Sequence, residues 1–408
     1  MIQLNIKQNY FRKLAILFTV ILIFFLSSCR QAPSNYQSRF VVSTPSDTST
    51  FNYPLNQSAY SVFGYIYEGL IIENGVTGEL EPALAESWEV SEDEQTIVIT
   101  LKKDLKWSDG EPLTVDDVVF SYNKIYLNDK IPSSVKDILR IGKSGALPTV
   151  KKIDNLRVEF STPEPFAPFL RYAGGLNILP AHVLKESVST TNSEGELNYL
   201  TKWGTDTPVT EIVGNGMYRL KSYAPNQRII LEKNPFYWRE DDQGNNLPYI
   251  ENIVWQVIEN TDNQLLNFRS GKLDTIKVAA EMFPLLKREE NRGKYTIYNG
   301  GPTSTSSFIC FNINQGKNAQ GKPLVDPIKS RWFNNKAFRQ AMAYGINREA
   351  MTNNIYRGLG APQYSPIPVT SPFYLSPEEG LKFIITTRKK LKNFCLVLVL
   401  NIIKMVSY

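Results

Sequence analysis

The chain has 408 residues, of which 42% are hydrophobic and 21% charged, proportions that are ordinary for a globular protein of two or three domains. Its net charge of +5 comes from its ends, because three basic residues lie before position 29 and six lie after position 380. The remaining 36 basic residues face 40 acidic ones, a net charge of −4, which argues against a nucleic-acid-binding protein.

The N-terminus has the pattern of an export signal. Lys7, Arg12 and Lys13 precede an apolar run of 13 residues at 14–26. A bilayer span needs about 20 residues, whereas the apolar part of a secretory signal needs roughly 7–15. The run ends at Leu-Ser-Ser-Cys, which resembles the bacterial lipobox, so we predict a signal peptide at 1–28 and a lipid on Cys29. The alternative is an ordinary signal peptide with a chance cysteine.

Strand and turn signals alternate through the first half of the body. Residues 40–44 predict a first strand, followed by a polar loop at 45–50. Residues 96–101 predict another strand, and Ser108-Asp109-Gly110 has the composition of a turn. Thr114 and Asp117 resemble a capping box, with Asp in place of the usual Glu or Gln. Five apolar or aromatic side chains then share one face of the predicted helix: Val115, Val118, Val119, Tyr122 and Tyr126.

The second half continues this mixed α/β pattern. Strands are predicted at 155–160, 228–232, 253–258, 273–276 and 308–313. Helices are predicted to begin near Pro180, after a cap at Thr261 or Asp262, and after caps at Asn335 and Asn347. The helix that begins near residue 261 is expected to end at Gly271.

Several motifs occur in a specific order. They are YEGL at 67–70, EPALAESWE at 81–89, KWSDGEPLTVDDVVFSY at 106–122, GNGMYRL at 214–220, NPFYW at 234–238 and NNKAFRQAMAYGINREAM at 334–351. Together they resemble the large solute-binding proteins of ABC importers, which take up oligopeptides, dipeptides and nickel chelates. The resemblance covers about residues 40–379, with Met217 at a position where the family usually has proline.

The resemblance implies an α/β fold of the periplasmic-binding-protein type, with two lobes and an inserted third domain. Residues 36–56 and 165–270 would form the first lobe, 57–164 the inserted domain, and 271–380 an incomplete second lobe. The implied function is to capture a peptide or similar solute outside the cytoplasmic membrane and deliver it to a permease. The expected protein is an exported monomer in the periplasm or at the cell surface, held at a lipid bilayer by its N-terminal anchor.

The last 28 residues have a different character. From Leu381 onward there is no acidic residue, glycine or proline, and a basic cluster at 388–390 leads into an apolar run. We therefore predict that 381–408 is an out-of-frame tail on a truncated chain. The alternative is a genuine basic, apolar C-terminal helix, whose apolar run at 394–403 is too short to span a membrane.

The resemblance also points to residues that would face the solute. The polar loop and the strand at 308–312 resemble family segments that line the cleft between the lobes. The candidate ligand-binding residues are Asp47, Thr48, Tyr67, Cys310 and Asn312. The alternative for each is ordinary loop or core packing, and Cys310 in its apolar context also predicts a buried, inert thiol.

Catalytic chemistry has little support in the composition. The chain has one histidine, so a nucleophile activated by histidine would have to use His182, which we assign to structure instead. Zinc sites built from several His or Cys are excluded by count, and no cofactor motif is present. We therefore expect a protein that is not an enzyme and has no cofactor or metal. An exported hydrolase and a non-functional truncated product are the alternatives.

Lipidation of Cys29 can be tested by metabolic labelling with a clickable fatty acid. The wild-type protein should be labelled, because the apolar run stops at a lipobox-like sequence. Cys29→Ala should lose the label and Cys395→Ala should keep it. Equal labelling of the wild type and Cys29→Ala would refute lipid attachment at this residue.

Overall fold

A computed structural model describes residues 38–56, 60–301 and 305–384 of the chain. The predicted signal peptide, Cys29 and most of the predicted tail lie outside these residues. The described strands form two four-stranded sheets and a small hairpin. The strands are β1 (Arg39–Thr44), β2 (Ile71–Glu73), β3 (Leu80–Pro82), β4 (Ala85–Val90), β5 (Thr96–Leu101), β6 (Thr149–Lys152), β7 (Arg157–Ser161), β8 (Tyr218–Ala224), β9 (Arg228–Lys233) and β10 (Asn252–Val257).

The first sheet has the order β1-β10-β9-β8. β1 and β10 are parallel, with Arg39 opposite Asn252 and Thr44 opposite Val257, and the other pairs are antiparallel. Two neighbouring parallel strands need a long connection between them. Here the connection between β1 and β10 includes all four strands of the second sheet. The predictions of strands at 40–44, 228–232 and 253–258 are confirmed to within one residue at each end.

The second sheet has the order β4-β5-β7-β6 and is antiparallel throughout. β5 occupies the predicted range, and Ile97, Ile99 and Leu101 are buried while the residues between them are half-buried. This alternation places one face of the strand in the core. β2 and β3 pair as a separate antiparallel hairpin beside this sheet.

The described helices are mostly short. They are α1 (Tyr60–Ile66), α2 (Val115–Phe120), α3 (Val135–Ile138), α4 (Phe169–Gly174), α5 (Ala181–Leu184), α6 (Thr261–Arg269), α7 (Phe283–Gly293), α8 (Pro327–Asn334), α9 (Lys336–Gly345) and α10 (Arg348–Asn354). In the part of the chain that the model describes, none of them has the length and hydropathy of a membrane span.

The predicted capping box at the start of α2 is confirmed. The Thr114 hydroxyl accepts a hydrogen bond from the backbone N–H of Asp116 at 3.3 Å, and the Asp117 carboxylate accepts one from the N–H of Thr114 at 2.8 Å. Asp117 also accepts a bond from the N–H of Ala181, at the start of α5, at 2.9 Å. One buried carboxylate therefore caps α2 and joins it to α5.

The helix continues beyond α2 as a π-helical segment, Ser121–Tyr126. The Ser121 hydroxyl donates to the carbonyl of Asp117 at 2.7 Å and accepts from the N–H of Leu179 at 2.8 Å. Of the five side chains predicted to share a face, four are buried and Val119 is half-buried. The predicted amphipathic face is thus the packing face of this helix.

Two details of the predicted helices are corrected. Asn260, rather than Thr261 or Asp262, caps α6, because its side-chain oxygen accepts from the N–H groups of Asp262 and Asn263. The helix ends at Arg269 and not at Gly271. The predicted caps of α9 and α10, Asn335 and Asn347, are confirmed.

Two predicted strands are absent from the described residues. Residues 273–276 make only a short contact with β1, in which Val41 N donates to the Asp274 carboxylate at 2.7 Å and Asp274 N donates to the Val41 carbonyl at 2.9 Å. Residues 308–313 form no strand either. A strand is defined by its paired neighbour, and no described segment extends a ladder along either stretch.

The main hydrophobic core lies within residues 42–255 and is shared by both sheets. Among residues 305–384 the model describes only one buried side chain, that of Ala341. Large apolar side chains such as Phe308, Trp332 and Ile355 are exposed there. Burial of apolar surface, the main stabilising term in folding, is therefore concentrated in the first two thirds of the chain.

The role of Asp117 predicts a difference between two adjacent residues. Asp117→Ala removes the acceptor of two backbone N–H groups and should lower the free energy of unfolding by about 1–3 kcal/mol. Asp116→Ala, also in the first helical turn, removes only an exposed pair with Lys152 and should cost at most about 1 kcal/mol. Urea denaturation of both variants measures this, and equal losses would contradict the assigned role of Asp117.

Candidate functional site

The polar loop at 45–50 is fixed by hydrogen bonds to the first sheet. The Asp47 carboxylate accepts from the Tyr223 hydroxyl at 2.8 Å and from the N–H of Asn226 at 2.7 Å. Burial, and then the Asp47 carboxylate, raise the pKa of Tyr223, which keeps this phenol a hydrogen-bond donor. The predicted site residue Asp47 is therefore engaged in holding the loop in place.

The far end of the loop is fixed in the same way. The Thr48 hydroxyl is buried, donates to the carbonyl of Thr50 at 2.6 Å and accepts from the Asn56 amide at 2.5 Å. Thr50 donates through its hydroxyl to the Trp203 carbonyl at 2.9 Å. Asn52 donates through its amide to the carbonyls of Tyr199 and Lys202 at 3.1 and 3.2 Å. The loop is consequently held in place at both ends by hydrogen bonds within the protein.

Tyr67, a third predicted site residue, lies in the core with 1% of its surface exposed. Its ring stacks on that of Phe63 at 6.3 Å between centroids and lies 6.3 Å from the ring of Tyr53. Burial raises the pKa of its hydroxyl well above the usual range. The described structure therefore places Tyr67 beneath the surface.

The neighbouring residue, Glu68, was not predicted as a functional residue, yet it lies at the junction of three motifs. Its carboxylate is buried and accepts hydrogen bonds from the Tyr237 hydroxyl and from Nε1 of Trp238, the latter at 2.9 Å. Its backbone N–H donates to the Asn215 side chain at 2.8 Å, and Asn215 returns a bond to its carbonyl at 3.2 Å. YEGL, GNGMYRL and NPFYW thus meet at one residue, NPFYW at its carboxylate and GNGMYRL at its backbone. A charged residue inside an otherwise apolar motif was the signal that could have revealed it.

The glycines of the GNG motif permit this junction. A Cβ at Gly216 would lie 2.6 Å from backbone atoms of Tyr65 and Ile66, which is closer than a Cβ atom approaches atoms that are not bonded to it. Gly216 N donates to the Ile66 carbonyl at 2.8 Å, and Asn234 donates through its amide to the Gly216 carbonyl at 2.9 Å. Glycine is therefore required for close backbone approach at this position.

Positive charges flank the junction on its outer side. Lys102 Nζ and Arg239 Cζ each lie 4.9 Å from the centre of a Trp238 ring, within the range of cation–π attraction. Burial raises the pKa of Glu68, while the bonds from Tyr237 and Trp238 and the charge of Arg239 oppose that shift. The carboxylate is therefore held at an energetic cost that its hydrogen bonds partly offset.

The two remaining candidates, Cys310 and Asn312, lie on the surface. Cys310 is an exposed free thiol, which corrects the expectation of a buried one, and the absence of a paired strand explains its exposure. Asn312 accepts through its side chain from the N–H of Asn314 at 3.1 Å. In the described structure, the backbone N–H and C=O groups of residues 308–312 make no hydrogen bond. This segment therefore offers free backbone donors and acceptors to solvent.

His182 has a structural partner. Its Nε2 lies 2.8 Å from the Asp109 carboxylate, and its ring centre lies 6.1 Å from that of Trp107. The contact joins α5 to the turn at 108–110. Among the described residues no group of three or more His, Cys, Asp or Glu side chains is placed to hold a metal ion.

The raised pKa of Glu68 predicts a pH dependence of stability. The folded protein holds this proton more tightly than the unfolded chain does, so the free energy of unfolding should fall as pH rises from 4.5 through the raised pKa. Glu68→Gln should lack this contribution, and its urea midpoint should fall less steeply over that window. Glu89→Gln, at an exposed position on β4, should keep the wild-type profile. Identical pH profiles for Glu68→Gln and the wild type would contradict the prediction.

Comparison with known proteins identifies the family of this chain. Residues 79–391 match the model for bacterial extracellular solute-binding proteins, family 5 Middle, and the match runs past the predicted limit at Glu379. A probable ABC transporter-binding protein of Deinococcus radiodurans is 30% identical over 348 residues, covering 83% of this chain and 55% of that protein. The periplasmic oligopeptide-binding protein OppA of Salmonella typhimurium is 26% identical over 316 residues, covering 74% of this chain and 51% of OppA.

Solved structures share the fold. The periplasmic binding protein MelB of Agrobacterium fabrum, in complex with stachyose, superposes with a TM-score of 0.70 at 21% identity, covering 88% of this chain and 55% of MelB. This chain spans about half the length of the curated relatives that it matches. The predicted periplasmic-binding-protein α/β fold is thereby confirmed, and the chain belongs to the bacterial extracellular solute-binding proteins of family 5.

Proposed function

We propose that this chain is the substrate-binding component of an ABC importer, which captures peptides or peptide-like solutes outside the cytoplasmic membrane and delivers them to a permease. Family membership and the names of the relatives support a transport role. Relatives differ in their solutes, since OppA is named for oligopeptides and MelB was solved with stachyose. We therefore choose between a peptide and a sugar as the solute from the chemistry of this chain.

The observation that favours a peptide is the free backbone of residues 308–312. A peptide in an extended conformation can add to an unpaired segment through main-chain hydrogen bonds, and neighbouring side chains can then select its residues. Phe308 and Ile309 are 82% and 59% exposed and provide apolar contact beside the free backbone groups. A sugar needs mainly side-chain donors and acceptors, which this apolar segment supplies poorly.

Within this proposal the five predicted site residues have different tasks. Cys310 and Asn312 are exposed and are assigned to contact with the solute. Asp47 and Thr48 are hydrogen-bonded within the protein and hold the wall formed by the polar loop. Tyr67 supports that wall from the core.

The domain division belongs to the same proposal. The first lobe comprises 36–56 and 165–270, the inserted domain 57–164, and the second lobe starts at 271. The paired contact of Asp274 with Val41 lies where the chain leaves the first lobe. Solute capture would proceed by closure of the lobes without covalent chemistry. The pairing of His182 with Asp109 supports a structural role for the single histidine.

Export, lipid attachment at Cys29 and action as a monomer complete the proposal. A single acyl chain binds a membrane only marginally, so two or more chains at the N-terminus would be needed for stable anchoring. An anchored binding protein stays close to its permease, which raises the local concentration of captured solute there.

Alkylation of Cys310 tests the proposed peptide contact. Peptide-resolved mass spectrometry follows the modification of the full chain by iodoacetamide with and without a mixture of short peptides. Bound peptide should slow alkylation of Cys310 several-fold, because it would cover an otherwise exposed thiol. The rate at Cys395 serves as the internal reference.

Stachyose provides the matched control ligand. It should leave the Cys310 rate unchanged if peptides are the solutes. Unchanged alkylation with peptides, or protection by stachyose alone, would overturn the proposal of peptide binding at this segment.

A further inference from the structure

A cavity of about 390 Å³ is bounded by α8 and the loop that precedes it. Its volume falls within the range of about 300–1,000 Å³ that is usual for small-molecule pockets. Nine residues line it, namely Asn314, Gln315, Gly316, Pro323, Val325, Pro327, Ser330, Arg331 and Asn334. None of the nine is acidic, and Arg331 gives the lining one positive charge. None of the five residues predicted to contact the solute is among them.

Both sides of the cavity are held by local hydrogen bonds. In the loop, the N–H of Leu324 donates to the Gly316 carbonyl at 3.0 Å, and the N–H of Gly316 donates to the Asn314 side chain at 2.7 Å. On α8, Asn334 donates through its amide to the Ser330 carbonyl at 2.9 Å. The cavity therefore lies between two segments whose shapes are each fixed internally.

The lining offers hydrogen-bond donors to a ligand. Among the residues that the structure describes, the Arg331 guanidinium forms no hydrogen bond or ion pair. It carries five N–H donors in a planar fork, a shape that matches a carboxylate. The Ser330 hydroxyl accepts a bond from the Asn334 amide at 3.4 Å, which leaves its own hydrogen to be donated.

The surroundings of the cavity are positively charged. Residues 305–336 carry five basic side chains and one acidic one, a net charge of +4, although the body of the chain is mildly acidic. The acidic residue, Asp326, caps α8 by accepting from the N–H groups of Ile328 and Lys329 at 3.0 Å each. A local excess of positive charge attracts anions, so the expected ligand is negatively charged.

We propose that this cavity binds a carboxylate carried by a short apolar group. Arg331 and Ser330 donate hydrogen bonds to the carboxylate oxygens, and the apolar group contacts three lining residues, Pro323, Val325 and Pro327. Hydrogen bonds from a guanidinium to a carboxylate are about twice as strong as those between neutral groups.

Two sources can supply such a carboxylate, a free small acid and the carboxyl end of a peptide. The lining begins at Asn314, two residues after the unpaired segment 308–312, so a peptide extended along that segment can reach the cavity. The peptide source rests on the proposed function, whereas the cavity and its charge do not.

Calorimetric titration of the full chain with N-acetylleucine tests the site, with N-acetylleucinamide as the matched uncharged ligand. The acid should bind at least about tenfold more tightly than the amide, because only the acid carries a carboxylate. Arg331→Gln should weaken binding of the acid by a similar factor. Lys329→Gln, at an exposed position of α8 outside the lining, should leave it unchanged.

Three results would overturn the site. They are no binding of N-acetylleucine to the wild type, equal binding of the acid and the amide, and equal affinities of Arg331→Gln and Lys329→Gln for the acid. Arg331 is exposed, so its substitution tests binding without removing a buried contact.

Alkylation of Cys310 distinguishes the two sources. If the carboxyl end of a peptide enters the cavity, peptides should protect Cys310 less when that end is amidated, and less in Arg331→Gln. Equal protection in all these cases assigns the cavity to free acids. Protection of Cys310 without binding of N-acetylleucine refutes the cavity alone, and the reverse result refutes only the peptide contact at 308–312.

Discussion

A buried carboxylate is the constraint on which much of this architecture depends. Glu68 lies between α1 and β2. The turn before β8 and the segment after β9 both contact it there. An isolated charge in a core is prohibitively unfavourable, so the carboxylate requires the Tyr237 hydroxyl and the Trp238 indole at short range. Those two donors in turn fix the path of the chain between β9 and β10. Satisfying one charge therefore specifies how YEGL and NPFYW meet, and Asn215 of GNGMYRL joins the backbone of the same residue.

The described molecule is unevenly organised around that junction. On one side, the polar loop has its side chains hydrogen-bonded within the protein and forms a surface of fixed shape. On the other, residues 305–384 keep most of their apolar side chains exposed and the backbone of 308–312 unpaired. The two surfaces suit different tasks. A surface of fixed shape favours affinity because it is preorganised, and free backbone groups can bind peptides of varied sequence.

The sequence predicted local structure well where local chemistry decides it. The capping box at Thr114 and Asp117, the alternation along β5 and the caps at Asn335 and Asn347 all depend on residues within a few positions of one another. The predictions of strands at 273–276 and 308–313 were wrong for the opposite reason, because a strand depends on a partner strand at any distance along the chain. Apolar composition could not reveal that the partner was absent from the described residues.

The candidate site was harder to predict than the fold. Motif resemblance pointed to Asp47, Thr48 and Tyr67, but could not distinguish a side chain that is exposed to solvent from one that is bonded or buried within the protein. That distinction depends on burial and on hydrogen-bond partners such as Tyr223 and Asn226, which are about 180 residues away in the chain. Glu68 was not predicted, because its donors Tyr237 and Trp238 lie about 170 residues away and only its place in an otherwise apolar motif pointed to burial.

The Glu68 junction also has a consequence for synthesis on the ribosome. Its indole partner is 170 residues further along the chain. At about 5–20 residues per second, the interval between synthesis of the carboxylate and of Trp238 is on the order of 10–30 s. The last strand of the second sheet, β7, ends at Ser161, before Trp238 is made. Until then the carboxylate lacks its two donors and favours water over the core. The surroundings of Glu68 are therefore completed only after Trp238 has been synthesised, an order of events that the finished structure does not display.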